Sequence, residues 1–436
     1  MKVAIEDRDD DGRGRGWAGR RRVLVSQAHP GECVTVRVDK KTRGTLEGRV
    51  ARLLVADPAR ISHTCRQEFY CTGCAHLALP PSVEAEIKQE KLQRLAVALG
   101  AADRLLPLRV PTPPFGYRHQ AKEVFARRPN GRVVLGSYVQ STREVADMKA
   151  CPVLAPALAE LMAHIVHEVG ARRLPVADEP NGLRYAVARL AAGTGELLLT
   201  LVMGEGDADV HQDLCVYLLK HFSKLKGVAL WENPSTSGAL LAGKPRLRWG
   251  TSTLQETLLG FRCFSRVDAF FQVNPTAAAV LFALARDMAG EGDACIELFS
   301  GVGALTLPLA GRFRTLHAVE SAGPAADLLR RNVSAHGARS VIIHQGDAAA
   351  LFGQLAARVR PQTVVADPPR RGLGSTLVRA LADSSAARLV LLACEPASLL
   401  RDLPPLQKKG FGVRVIAGVD QFPRTAHVEA VVLLQR

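Results

Sequence analysis

The sequence predicts an α/β chain in three parts: an OB-like β-barrel over residues 1–64, a central α+β region over 65–268, and a doubly wound, Rossmann-like sheet over 269–436. Three observations carry this reading. Beyond residue 269 short apolar runs alternate with helical stretches, the pattern of a parallel sheet covered on both faces. The first 64 residues hold short strands divided by Gly and Pro turns. A cysteine cluster and an 18-residue helical stretch separate the two regimes.

In the N-terminal part, Gly12, Gly14 and Gly16 read as an irregular opening, with strands expected at 21–26, 33–38 and 46–54. Arg37, Lys40, Lys41, Arg43 and Arg49 stud these strands, and small barrels of this kind bind single-stranded nucleic acid. A helix is expected over 82–99, after Pro81 and before Gly100. Residues 82–112 are candidates for packing on the C-terminal part. The apolar stretch 155–169 reads as a helix. In the C-terminal part, strands are expected at 294–298, 316–319, 341–344, 364–366 and 389–393, with helices at 324–336 and 375–383. The runs 412–417 and 428–434 have no helix between them and predict an antiparallel hairpin at the sheet edge.

The chain has 436 residues and is 47% apolar, enough for two to four domains with cores of their own. Its net charge of +15 favours a polyanionic partner, because each Lys or Arg that meets a phosphate releases a counterion. No apolar run is long enough for a membrane span and the start has no secretory h-region, so a cytoplasmic location is expected. Nine cysteines, an odd number, point to metal binding or catalysis rather than disulfides.

One ligand site is legible at the ends of the predicted parallel strands. Glu297-Leu298-Phe299-Ser300-Gly301-Val302-Gly303 closes the first strand, and Gly301 and Gly303 allow a tight turn and close approach of a ligand to the backbone. Glu320 ends the second strand, at the distance expected of an acid that holds ribose hydroxyls. Asp347 follows the third strand and Asp367 the fourth. Each acid alone is as readily the cap of the next helix; the set of them at strand ends is the signal. No Walker-type Lys-Ser/Thr pair is present, which disfavours a nucleoside triphosphate.

A reactive site is legible beside it. Asp367-Pro368-Pro369-Arg370 fixes an acid in a stiff loop. Cys394 ends the fifth strand, next to a helix start at Ala397 whose dipole is expected to lower the thiol pKa. Such a thiolate suits the alkylation of a weakly nucleophilic carbon. Addition to carbon 6 of uracil makes an enolate, and carbon 5 can then attack a methyl sulfonium. The carbon 5 proton must afterwards leave, and Glu429 at the start of the last strand is the candidate base.

The stretches Phe270-Phe271-Gln272-Val273-Asn274, Glu297–Gly303, Asp367–Arg370, Cys394 with Pro396, and Asp420–Glu429 together resemble the bacterial RNA 5-methyluridine methyltransferases. The resemblance is in particular to the iron–sulfur branch that acts on large-subunit ribosomal RNA. The resemblance spans the C-terminal third in order. It implies an S-adenosylmethionine-dependent methyltransferase fold, with Cys394 as nucleophile and Glu429 as proton acceptor. It also implies that Gln272, Phe299, Glu320, Asp347 and Asp367 surround the methyl donor. Two positions depart from the family. Ala304 and Glu395 stand where many members have asparagine, and a carboxylate at Glu395 is expected to raise the neighbouring thiol's pKa.

Cys65, Cys71 and Cys74, spaced x5 and x2, offer three soft ligands, and Cys151 is the candidate fourth. Spacing alone leans to zinc; the resemblance implies a [4Fe–4S] cluster on these four, closed to radical chemistry by the fourth thiolate. Cys33, Cys215, Cys263 and Cys295 are expected to be buried small residues. Pro30-Gly31-Glu32-Cys33-Val34 after the glycine-rich start resembles the RNA-binding TRAM module. Relatives that act on transfer RNA lack both cluster and module, so the implied partner is ribosomal RNA, with no obligate protein partner and a monomeric state. Amino-group methyltransferases carry an aromatic residue where Arg370 stands. A catalytically dead RNA-binding protein would have no call for both Cys394 and Glu429.

Overall fold

A computed structural model describes residues 1–140, 142–235, 240–241 and 243–436. Its N-terminal strands close into a barrel in the order β1-β2-β3-β5-β4: β1 (Lys2–Arg8), β2 (Gly14–Ala18), β3 (Arg21–Ser26), β4 (Cys33–Thr42) and β5 (Thr45–Val55). Alternate residues point inward, so Val3, Ile5, Val23, Val25, Val34 and Val36 share one small core. Strands β3 to β5 match the sequence expectation. The first two were missed. Only Val3 and Ile5 of the charged β1 turn inward. Gly16, read as part of an irregular opening, lies where a Cβ would collide with the Ala4 carbonyl. The glycine marks close strand approach. Cys33, expected to be buried, is half-buried; Cys215, Cys263 and Cys295 are buried.

Helix α1 (Pro81–Ala98) carries Pro81 in its first turn, where the missing N–H costs nothing. Its Leu92, Leu95 and Ala96 belong to the same core as the C-terminal sheet. The segment after it follows the last part of the chain: Leu106 N–H donates to Ile416 O and Arg109 N–H to Gly418 O.

The central region is a seven-stranded sheet. Its strands are β6 (Gln120–Arg127), β7 (Val133–Tyr138), β8 (Val145–Asp147), β9 (Leu183–Leu190), β10 (Leu197–Met203), β11 (Leu225–Glu232) and β12 (Lys244–Gly250), in the order β12-β11-β10-β9-β6-β7-β8. Helices α2 (Pro156–Ala171) and α3 (Gln212–His221) cover one face and share its core. Only β10 and β11 pair in parallel, across the α3 crossover. A hairpin, β13 (Leu254–Leu258) and β14 (Phe261–Ser265), then packs on the C-terminal part, where Cys263 meets Val302, Ala325 and Leu328.

The C-terminal part is a sheet of β15 (Gly292–Leu298), β16 (Phe313–Glu320), β17 (Val341–Gln345), β18 (Thr363–Ala366), β19 (Arg388–Ala393), β20 (Gly412–Val419) and β21 (Glu429–Gln435). Helices α4 (Pro275–Ala289), α5 (Thr306–Ala310), α6 (Gly323–Ala335), α7 (Ala348–Val359), α8 (Ser375–Asp383) and α9 (Leu399–Gln407) flank it. The strand order is β17-β16-β15-β18-β19-β21-β20. The first five strands pair in parallel and the last two antiparallel. The chain moves outward from β15 to β17, then returns to β18 on the other side. The crevice at that reversal, beyond the carboxyl ends of β15 and β18, is where sheets of this type hold ligands. β21 lies between β19 and β20, so its first residue, Glu429, sits inside the sheet and not on its edge.

Candidate active site

The loop after β15 is held by a second strand's acid. Glu320 is buried, and its two carboxylate oxygens accept from Gly301 N–H at 2.8 Å and from Ala322 N–H at 2.7 Å. A carboxylate has about four lone-pair sites, so hydroxyls can still be accepted. Phe299 is in the left-handed region at φ 64°, unusual for a bulky side chain. Gly301 and Gly303 follow at φ 57° and 91°. A Cβ on Gly303 would stand 2.6 Å from Leu329 of α6, so this glycine permits the helix to pack on the loop. Glu297, just before, is buried and pushed up to about 8 by desolvation; Thr306 Oγ1 donates to it at 2.5 Å and pins the start of α5. Asp347 is exposed and caps α7, accepting from Ala350 N–H at 3.0 Å. Gln272 is buried and accepts from Gln421 Nε2 at 3.0 Å.

Across the crevice stand the groups expected to react. Ala393 of β19 pairs with Ala430 of β21. The antiparallel register therefore sets Cys394, one residue on, opposite Glu429, one residue back. Burial, then Glu429 and Asp367, push the Cys394 thiol up to about 11, while Arg370 pulls the other way. Burial and Asp367 push Glu429 to about 8, again opposed by Arg370. Asp367 is raised to about 7 by burial. These four side chains form one electrostatic unit.

Two sequence expectations are corrected here. The thiol is raised, not lowered, because burial and neighbouring carboxylates outweigh the turn at Pro396–Ser398 and the start of α9 at Leu399. The carboxylates that raise it are Glu429 and Asp367. Glu395 stands 3.9 Å from Lys91 of α1.

Sequence reading missed the support behind Glu429. Lys88 of α1 is fully buried and donates to Glu84 at 2.7 Å, to Asp420 at 2.7 Å and to Phe422 O at 3.1 Å. Arg424, also buried, donates its N–H to Glu84 at 2.6 Å and its guanidinium to Leu79 O at 2.6 Å. The segment 420–428 that leads into Glu429 is thus bolted to α1. Nothing in a Glu-x3-Lys pair on a helix distinguishes this from a solvated i,i+4 pair. Asn274 caps α4 and donates to Gln421 O at 3.0 Å, tying the same segment to Gln272.

The four cysteines named as metal ligands are all half-buried free thiols. They share one neighbourhood: after burial, Cys151, Cys71 and Cys65 in that order raise the Cys74 thiol well above its usual range. Burial pushes Cys151 to about 11, with Cys71 adding to it. As they stand, no group of three or more His, Cys, Asp or Glu among the described residues could hold a metal ion. Four thiols are chemically soft donors, the type that iron–sulfur clusters and zinc take.

The chain is similar in sequence or shape to several known proteins. A family profile described as tRNA (Uracil-5-)-methyltransferase matches residues 254–436. An uncharacterized RNA methyltransferase of Nostoc sp. is 30% identical over 442 residues, covering 100% of this chain and 96% of that one. One from Halalkalibacterium halodurans is 26% identical, covering 100% and 96%. The crystal structure of Pyrococcus abyssi tRNA (uracil-54, C5)-methyltransferase in complex with S-adenosyl-L-homocysteine superposes with a TM-score of 0.77 at 24% identity, over 100% of both chains.

Proposed function

The chain belongs to the RNA (uracil-5-)-methyltransferase family, and we propose that it methylates carbon 5 of a uridine in large-subunit ribosomal RNA. S-adenosylmethionine, the co-substrate, would supply the methyl group. The observation that carries the chemistry is the meeting of Cys394 and Glu429 across the β19–β21 register, with Asp367 and Arg370 beside them.

In this reading the Cys394 thiolate adds to carbon 6, and the electron pair moves through the ring to carbon 5, which attacks the methyl carbon; the sulfur–methyl bond breaks and S-adenosylhomocysteine leaves. Arg370 supports the thiolate and the enolate that forms. Glu429, ionised, then removes the carbon 5 proton, and the electron pair expels the thiolate to restore the aromatic ring. Glu320 would hold ribose hydroxyls, Gly301 and Gly303 would let the donor lie on the backbone, and Phe299, Gln272, Asp347 and Asp367 would complete its surroundings. Cys65, Cys71, Cys74 and Cys151 would hold a [4Fe–4S] cluster that ties the loop after the barrel to the one before α2. The barrel and the net charge of +15 would grip the RNA backbone.

The test is mass spectrometry of ribosomal and transfer RNA nucleosides from a strain lacking the protein. Loss of one 5-methyluridine from large-subunit RNA supports the reading. Loss from transfer RNA instead supports the second reading, which the family description and the whole-length likeness to a transfer-RNA enzyme favour.

A further inference from the structure

A cavity of about 690 Å³ opens between the barrel, α1 and the segment before Glu429. That is the size of a small-molecule site. Arg8, Gly12, His76, Ile87, Lys91 and Ala426 line it. Two of its lining residues lead toward the reactive groups: Lys91 stands 3.9 Å from Glu395, the chain neighbour of Cys394, and Ala426 lies three residues before Glu429.

The floor of this cavity has unmet hydrogen-bonding capacity. His76 is 1% exposed, yet neither ring nitrogen has a hydrogen-bond partner among the described residues. Arg8 Nη1 is likewise buried without one. Buried polar atoms are almost always paired, so two such groups facing one cavity point to a ligand. Gly12 packs close over this imidazole: a Cβ there would stand 2.8 Å from Ala75 Cβ and 3.0 Å from His76 Nε2. The charges narrow the ligand. Asp9, Asp10, Glu86 and Glu90 line the cavity along with Arg8, Arg15, Lys88, Lys91 and Arg94. Five cations and four carboxylates make a nearly balanced wall, which does not select for a phosphate group inside the cavity. It suits a neutral group that both donates and accepts, as a neutral imidazole does. The polar edge of a nucleobase is such a group, and Val83 and Ile87 supply apolar wall for its ring.

We propose that the cavity receives a second nucleobase of the RNA substrate, extruded beside the target uridine and read at its edge by His76 and Arg8. This rests on the functional reading above. It makes recognition depend on a base that is not modified, with its backbone passing Lys91 and Arg94 at the rim.

The test uses transcripts carrying the mapped target uridine, with each flanking nucleotide replaced in turn by an abasic site. One position should raise KM on the order of tenfold for the wild-type protein, with kcat moving less. His76→Leu should raise KM similarly on intact RNA, and the same abasic site should then cost nothing more. Arg8→Met should behave likewise, which guards against a folding defect in either variant. If no flanking abasic site raises KM, or if its effect multiplies with that of His76→Leu at every position, the proposal is overturned. If the wild-type protein methylates no RNA, the functional reading fails, and calorimetry then decides the cavity. Binding of a ribonucleoside 5′-monophosphate that is lost in His76→Leu supports a base site. Equal binding of inorganic phosphate, or no binding of any monophosphate, overturns it.

Discussion

The two sides of the crevice are built in different ways. The side formed by Phe299–Gly303 and Glu320 is local: a turn after one strand, held by an acid at the end of the next, with Gly301 N–H 2.8 Å from Glu320. Its parts lie within 24 residues, counting from Glu297 to Glu320. The side formed by Cys394 and Glu429 is assembled from distant pieces. Its strand register brings together residues 35 apart, and its support runs from Lys88 to Asp420, 332 residues away. A side made of backbone turns tolerates change elsewhere in the chain. A side made of buried charges depends on every partner.

That contrast sets the order of expected effects. In the proposed mechanism Cys394→Ala removes the covalent step, so it should lower kcat by at least about a thousandfold while donor affinity, measured by calorimetry, stays within about twofold. Turnover within about tenfold of wild type would mean that the two sides do not divide chemistry and donor binding as argued. Glu429→Gln should slow turnover by about 10²–10⁴-fold, and because methyl transfer precedes proton removal, a protein–RNA adduct should persist on denaturing gels. Normal turnover by this variant would assign the proton to another group.

Lys88→Met tests the support. It leaves Glu84 and Asp420 buried without their cation, a loss of about 3–5 kcal/mol. Burial already raises both carboxyls and Lys88 opposes this, so without it they should protonate more readily. The destabilisation should therefore shrink as pH falls, which thermal unfolding at several pH values can follow. By contrast, a change confined to the β15 loop should leave this pH dependence untouched.

The smallest effect is the pH profile. Glu429, raised to about 8, must be ionised to act, and Cys394, raised to about 11, must lose its proton to add. The thiol requirement makes kcat/KM rise with pH by about tenfold per unit from about pH 6 to about pH 8, while the carboxylate, which acts after methyl transfer, enters kcat. A flat profile there would mean that RNA binding resets the thiol. In Glu429→Gln the part of kcat owed to the carboxylate should vanish.

Much of this protein was legible in one dimension because its physics is local. The alternation of strand and helix, the glycines of the β15 loop, the acids at strand ends and the prolines after Asp367 each act within a few residues of themselves. Cys65, Cys71, Cys74 and Cys151 could be picked out in one dimension only as candidate donors, by spacing and residue type; among the described residues no group of three or more His, Cys, Asp or Glu is drawn together to hold a metal ion. Tertiary structure decided what depends on distant neighbours. It turned Gly16 from a loop residue into a point of strand contact and made Glu429's strand the inner one of the expected edge hairpin. It made Lys88 a buried bolt rather than a surface charge. It also reversed the expected shift at Cys394, because a thiol's proton affinity is set by burial and by nearby charges through space, and Glu429 and Asp367 reach Cys394 only once the strands have paired.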